Sequence, residues 1–447
     1  MGTVIIGGGI IGLSTAYYLS LSRPATDDAP IHIIDSSPML LASASGYAGG
    51  FLASDWFSPA VSSLGALSFR LHRELAEKHN GSRKWGYAGS HVYSLSVDEY
   101  GVSEKAKSGR RGDWLLDGTS RAGLVEGRSD HKNSMVNQDG SPAVFTPQVG
   151  GTLNTIADPE ECAQIEPKEL CEFLCEESKS RGVHIHLSTT ATSVLTNSDG
   201  VLTRLRLESS GGDGGNEKRE IECDKIVFTA GAWTPRVFKT LFPQSHTRIP
   251  ISPLAGYSLT VKSPRYTHPF LDVEKRNIGG GEDNWLCYAI YCAPGRHWSY
   301  SPEAYARLAR GGQTEVWVGG VNDSSLSLPE LATDVKKSMN PKSFESLRAT
   351  TVQLTGLARE GDDLNQDDLE TVREGLCFRP VSTSGTPIIG QVPEKDLGGV
   401  CMGDGGVWIA SGHGPWGISL SLGSGLVVSE MLQGKKPSAD IRALGLH

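Results

Sequence analysis

Along the chain, short aliphatic runs that end in small residues alternate with stretches of helical spacing. Thr3-Val4-Ile5-Ile6 is β-branched throughout and reads as a buried parallel strand, because a strand covered on both faces needs no polar alternation. Leu13, Ala16, Tyr17 and Leu19 follow at helix-compatible spacing, and Ile31-His32-Ile33-Ile34 reads as a second strand after a polar turn. An amphipathic helix over Leu170 to Ser180 leads into Val183-His184-Ile185-His186-Leu187. A strand over Thr192 to Thr196, a polar hairpin over Ser209 to Asn216 and a strand from Lys225 into Thr229-Ala230-Gly231-Ala232-Trp233 come next. Near the C-terminus, Val407-Trp408-Ile409-Ala410 is another buried strand, and a helix runs from about Ile418 to Leu432.

Between Arg248 and about Gly390 the pattern changes. Gly256 to Val261, Trp285 to Cys292 and Glu315 to Val318 read as strands of an antiparallel sheet, with Pro329 to Arg348 helical. Ser103 to Pro142 is polar, Gly-rich and without period, and reads as a surface insertion, partly disordered. The fold class is therefore α/β plus antiparallel β. A Rossmann-like dinucleotide domain is assembled from 1–60, 150–245 and 391–447. A mixed-sheet substrate or cap domain comes from 61–102 and 246–390, with 103–142 as the insertion.

The first strand runs into Gly7-Gly8-Gly9-Ile10-Ile11-Gly12, a G-x-G-x-x-G, and the second ends at Asp35. Gly7 permits the tight turn, Gly9 lets backbone approach a pyrophosphate, and Gly12 lets helix and strand pack closely. The phosphates rest on free N–H groups at the helix start, around Ile10 and Ile11. Asp35, with Ser36 beside it, is placed to take the hydroxyls of an adenosine ribose. The bland alternative is a Gly-rich turn in an ordinary helix–strand unit. The preceding strand, the following helix and the acid at the tip of the second strand argue against it.

Composition narrows the class. The chain has 447 residues, 38% of them hydrophobic, and a net charge of −9 without a long basic run, which argues against a nucleic-acid partner. The 8 cysteines form no C-x-x-C pair, so zinc and thioredoxin-like motifs are not indicated, and they read as reduced thiols. No signal peptide and no apolar run of membrane-spanning length is found, so the expected location is cytoplasmic, with no membrane span.

The βαβ unit alone does not choose between FAD and a nicotinamide. Two further features favour flavin. Ser43-Ala44-Ser45-Gly46-Tyr47-Ala48-Gly49-Gly50 lets a backbone lie against a flat ring, and Ser411-Gly412-His413-Gly414-Pro415-Trp416-Gly417 feeds a second helix start. A helix N-terminus stabilises the charge that develops on a reduced flavin by fixed dipoles.

Here the sequence resembles the D-amino-acid-oxidase-like (DAO) superfamily of FAD-dependent oxidoreductases. The resemblance rests on Gly7 to Gly12 with Asp35, on Ser45-Gly46 with Gly49-Gly50, and on Thr229 to Trp233. Gly375-Leu376-Cys377-Phe378-Arg379-Pro380, Gly385 to Gly390, and Gly412-His413-Gly414 with Gly417 complete it. The segment Ser45 to Trp56 is most similar to a poorly characterised fungal branch. The resemblance implies an FAD site that includes Ala48, Val194, Ala230, Gly231, Trp233, Trp416 and Ile418, and a sheet that covers the flavin ring. It also implies hydride transfer from a substrate carbon to flavin N5, with oxygen or another acceptor taking the electrons.

Individual residues carry competing readings. Arg379 matches the region that holds a substrate carboxylate, a task that suits a guanidinium fork; the alternative is a structural ion pair. Cys377 stands where sarcosine oxidases and amadoriases attach FAD through a thioether; the alternative, adopted here with the thioether kept open, is a buried thiol beside non-covalent FAD. Trp317 stands where sarcosine oxidases carry an oxygen-activating lysine, which speaks against fast oxidase activity. His413 and Trp416 read as flavin contacts or loop packing, with His413 entered as a candidate catalytic residue. Tyr257, Tyr288 and Tyr291 read as pocket wall or core. The functional reading is oxidation of the C–N bond of a small amine or amino acid. A flavoprotein with a structural or regulatory interaction role is the alternative from a different class. A nicotinamide dehydrogenase fits the C-terminal loop poorly.

Overall fold

The computed structural model describes residues 2–23, 28–97, 137, 142–210, 216–266, 287–359 and 364–446. The polar insertion expected at 103–142 lies outside the described residues except at Asn137 and Pro142.

Two sheets organise the chain. In the first, the strands run in the order Ile388–Gln391, Gly406–Ser411, Asn216–Phe228, Gly2–Ile6, Ile31–Ile34 and Val183–His186. The last five of these are parallel, and the register places Ile5 between Ile33 and Val227. Both faces are covered, which is why these strands are apolar runs without alternation. Ile5, Val227 and Trp408 pack toward the helices Ile10–Leu21, Pro167–Ser180 and Ser421–Leu432. Val4, Ile6, Phe228 and Ile409 pack on the other side against Phe238, Phe242 and the hairpin Thr189–Thr196/Leu202–Ser210.

The second sheet has 9 strands and is mixed: most neighbours are antiparallel, but Cys287–Cys292 pairs in parallel with Ala88–Ser96. Sheet membership shifts the division drawn from sequence. Phe51–Ala53, Thr152–Ala157 and Cys162–Gln164 belong to the second sheet, whereas Ile388–Gln391 joins the first by pairing with Gly406–Ser411. The helix expected from Pro329 to Arg348 is in two pieces, a 3-10 segment Ala332–Ser338 and an α-helix Pro341–Thr355. Asn340 breaks it: a residue before proline is driven out of the α region, and its side chain accepts the Lys342 N–H at 3.0 Å as an N-cap.

A histidine cluster sits where the first sheet meets the hairpin. Arg219 donates to His186 Nδ1 at 2.6 Å, so His186 carries its proton on Nε2 and donates to His32 Nδ1 at 3.0 Å. His184 stacks on His32 with ring centroids 5.1 Å apart. Burial, then the neighbouring imidazoles and Arg219, push His32 and His186 down to about 4. Their native pKa lies below the unfolded value, so the unfolded chain binds more protons and stability falls as pH drops from about 6.5 toward 4. The double variant His32→Gln/His186→Gln is expected to lose less Tm than the wild type between pH 7 and pH 5. Parallel Tm-versus-pH curves would overturn this.

Candidate cofactor and active site

The carboxyl ends of the parallel strands open onto one cavity of about 340 Å³. It is lined by Gly7 and Gly9 after the first strand, Asp35 and Ser36 after the second, Thr229 to Trp233 after the middle one, and Ser411 and His413 after the last. The chain turns to opposite sides of the first strand here, which is the topological switch point where open α/β sheets bind ligands.

The Gly-rich turn is shaped by contacts that no side chain would allow. Gly7 has φ +113, and a Cβ there would stand 2.7 Å from the Thr229–Ala230 backbone. At Gly12 a Cβ would stand 2.1 Å from Gly7 O and 2.8 Å from Thr229 Oγ1. That hydroxyl is itself fixed, donating to Gly7 O at 2.8 Å and Ile6 O at 3.1 Å. Ser45 Oγ accepts the Ile10 N–H at 3.0 Å, while the N–H groups of Ile11 and Gly12 have no acceptor among the described residues. Those orphan donors at a helix start suit a pyrophosphate. Asp35 accepts the N–H groups of Gly8 and Ser37, both at 2.9 Å. Burial raises its pKa and these two bonds oppose the rise. Gly9 meets only Ser45 Oγ, 3.2 Å from where a Cβ would stand, and Gly231 and Gly414 have no atom within 4 Å of that place. The backbone is thus bare along the cavity, as a flat or phosphate-bearing ligand requires.

The second sheet supplies the opposite wall. Tyr305 and Trp317 stack with centroids 5.1 Å apart and planes at 8°. A Cβ on Gly49 would strike both rings, at 2.4 Å and 2.8 Å. Cys377 lines the cavity as a buried free thiol, and burial raises its pKa more than Arg379 lowers it. Arg379 also lines it, half-buried, with its guanidinium over Gly256 and Nη1 donating to Asn322 Oδ1 at 2.5 Å. No carboxylate pairs with Arg379 among the described residues.

Several candidates hold the site without lining it. Gly12 and Gly46 serve close packing; a Cβ on Gly46 would stand 2.0 Å from Leu41 O. Gly412 turns the chain at φ +78, and Trp416 packs edge-on to Phe57 at 4.9 Å instead of facing the cavity. His413 lines the cavity, but its Nε2 is taken by Ser424 Oγ at 3.0 Å, and burial pushes it down to about 3. The ring is therefore neutral and fastens the Gly414–Trp416 turn to the last helix. His72, missed in the sequence, donates to Ile418 O at 3.1 Å from the helix Pro59–His79. Ile10, Ile11, Ser45, Ala48, Gly50, Ala230, Gly417 and Ile418 line the cavity.

One expectation needs correction, and of the two readings of the strand tyrosines the core reading holds. Val194 packs within the hairpin, and Thr189, Thr190 and Ala191 of the same strand reach the cavity instead, because the strand's start lies nearest the end of Ile31–Ile34. Tyr257 and Tyr288 face the far side of the second sheet, Tyr257 edge-on to Phe344, and Tyr291 is core below Tyr305. The cavity also gains Ser258, Arg236 and Glu330 to Ala332, none of which carries a local sequence signal.

Comparison with known proteins agrees with this geometry. A fungal protein of Schizosaccharomyces pombe, carried as a candidate oxidoreductase, is 25% identical over 450 residues, covering 99% of this chain and 96% of its own. A D-amino acid dehydrogenase of Cereibacter sphaeroides is 27% identical over 225 residues, 50% of this chain and 39% of its own. The crystal structure of glycine oxidase from Geobacillus kaustophilus superposes with a TM-score of 0.63 at 17% identity, covering 100% of this chain and 98% of that one, and so shares the fold. The family described as FAD dependent oxidoreductase (DAO) matches residues 3–431. With that match spanning both sheets and every wall of the cavity, the chain belongs to the DAO family of FAD-dependent oxidoreductases.

Proposed function

We propose that this oxidoreductase acts on the C–N bond of a small amino acid, or of an amine that bears a carboxylate. The observation that carries the reading is Arg379, a guanidinium in the cavity wall bonded to a neutral amide and to no acid among the described residues. A half-buried cation with no carboxylate paired to it is costly, and among the described residues Arg379 has none; a substrate carboxylate accepting its fork would offset that cost. When bound, FAD supplies the two-electron acceptor for a hydride from the carbon bearing nitrogen. Asn322 orients the fork, and the Tyr305–Trp317 stack keeps that side of the cavity apolar. His413, held by Ser424 and pushed down to about 3 by burial, orders the turn beside the cavity. The names of relatives point the same way: one is a D-amino acid dehydrogenase and one a glycine oxidase.

Anaerobic addition of an amino-acid and amine panel to the yellow protein tests this. Bleaching by one carboxylate-bearing member is expected. Bound flavin that no member reduces would favour the structural or regulatory alternative.

FAD is held without a covalent bond in this reading, because burial keeps the Cys377 thiol protonated and the nucleophile would be the thiolate. Acid precipitation is expected to release the yellow colour to the supernatant; colour in the pellet would place the thioether at Cys377. Trp317, apolar in the wall, supports an acceptor other than oxygen as the faster oxidant, which stopped-flow reoxidation would measure.

A further inference from the structure

We propose that Arg307 is a positioning residue that turns two peptide N–H groups, those of Gly49 and Gly50, into the cavity as fixed hydrogen-bond donors for the cofactor. The inference rests on FAD as the occupant of the cavity.

Arg307 is fully buried, and its side chain lies outside the cavity wall, behind the small-residue run. Its Nη1 donates to Ala48 O at 3.2 Å and Gly49 O at 2.6 Å. The flanking carbonyls are also taken from the protein side. Trp317 Nε1 donates to Tyr47 O at 3.0 Å, and the Ile165 N–H donates to Gly50 O at 3.0 Å. Four consecutive carbonyls thus have protein donors.

A trans peptide is planar, with C=O and N–H on opposite sides. Drawing Ala48 O and Gly49 O toward Arg307 turns the Gly49 and Gly50 N–H groups the other way, toward the cavity that both residues line. Neither N–H has an acceptor among the described residues. Paired donors without partners are costly in a closed interior and are what a negatively polarised ring edge requires. The glycines are needed for a separate reason. A Cβ would strike Tyr305 at Gly49 and would stand 1.9 Å from Ile165 O at Gly50.

Behind Arg307, Nη2 reaches Glu166 Oε1 at 3.2 Å and Glu315 Oε2 at 3.3 Å, and Arg373 reaches Glu166 at 3.3 Å. Glu166 is anchored as the N-cap of the helix Pro167–Ser180, accepting the Glu169 N–H at 2.8 Å. Stability alone is a poor reason for such a network, since apolar replacements of buried ion pairs are often neutral or better. Its geometric effect is to keep the guanidinium from following the loop.

The test compares wild type with Arg307→Lys, which keeps one charge but cannot span two carbonyls and two carboxylates. A second variant, Arg307→Met/Glu166→Gln, removes the charge and one of its counter-charges together. Apoprotein is titrated with FAD by fluorescence, and the absorption bands and midpoint potential of bound flavin are recorded beside Tm. For whichever variant folds, the expected result is at least a tenfold rise in the FAD dissociation constant, shifted visible bands and a lower midpoint potential. A folded variant with wild-type affinity, bands and potential would overturn the role of Arg307, whatever happens to Tm. Failure of the wild type itself to bind FAD would instead overturn the reading of the cavity.

Discussion

Gly12→Val is expected to abolish flavin binding while leaving the chain able to fold. The new Cβ would meet Gly7 O at 2.1 Å and Thr229 Oγ1 at 2.8 Å, and neither can retreat. Gly7 is pinned at φ +113 against the next strand, and the Thr229 hydroxyl is bonded to two carbonyls. The helix Ile10–Leu21 must therefore move off the strand, at a cost of about 1–3 kcal/mol or more. A shift of even an ångström carries the Ile11 and Gly12 N–H groups away from the pyrophosphate position. We expect the FAD dissociation constant to rise at least a hundredfold and Tm to fall by roughly 2–10 °C. Gly390→Ala is the matched control: it lies in the same sheet, and its Cβ would meet nothing closer than 3.4 Å. Isothermal titration of both apoproteins with FAD decides the matter; equal affinities would refute the packing argument.

The second large effect is expected at Arg379. Arg379→Met should lower kcat/KM for a carboxylate-bearing substrate by about 10²–10³, the loss of two charge-assisted hydrogen bonds at roughly 1.5–3 kcal/mol each after partial compensation by water. FAD affinity should stay within about twofold, because the guanidinium stands over Gly256 on the substrate-side sheet. Arg379→Lys should recover only part of the activity, since an ammonium cannot offer the planar fork. For an amine without a carboxylate the three proteins should react alike. A uniform loss across all substrates would mean that Arg379 supports the cavity wall and does not read the substrate.

The cofactor half of the site was legible because its physics is local. A strand, a turn that only glycine can make and an acid at the next strand's end are one contiguous signal, and the structure brings Gly7, Gly9 and Asp35 together on the cavity with Gly12 packed behind them. The walls were harder to read. Val194 and Ala191 lie on one strand, and which of them reaches the cavity depends on how the hairpin crosses the sheet. Tyr257 and Tyr305 are equally aromatic and equally on strands, yet only one faces the cavity, because register places them on opposite faces. Arg307 is invisible from sequence for a similar reason. Glu315 is its cross-strand neighbour, but Ala48 and Glu166 come from elements distant along the chain. Asn340, by contrast, stands directly before Pro341 and could have been read as a helix break.

The order of strands in the first sheet bears on how the protein is made. Its central strands come from the beginning, the middle and nearly the end of the chain, with Gly2–Ile6 seated beside Asn216–Phe228, and that strand beside Gly406–Ser411. While the ribosome is still short of residue 411, Asn216–Phe228 has an open edge, and the cavity lacks the wall that carries His413 and Ile418. A nascent chain can form the Gly-rich turn early but has no complete pocket for its cofactor until Gly406–Ser411 and the turn that follows it have been made. Until that segment is made, Asn216–Phe228 presents an exposed strand edge that chaperones would have to shield.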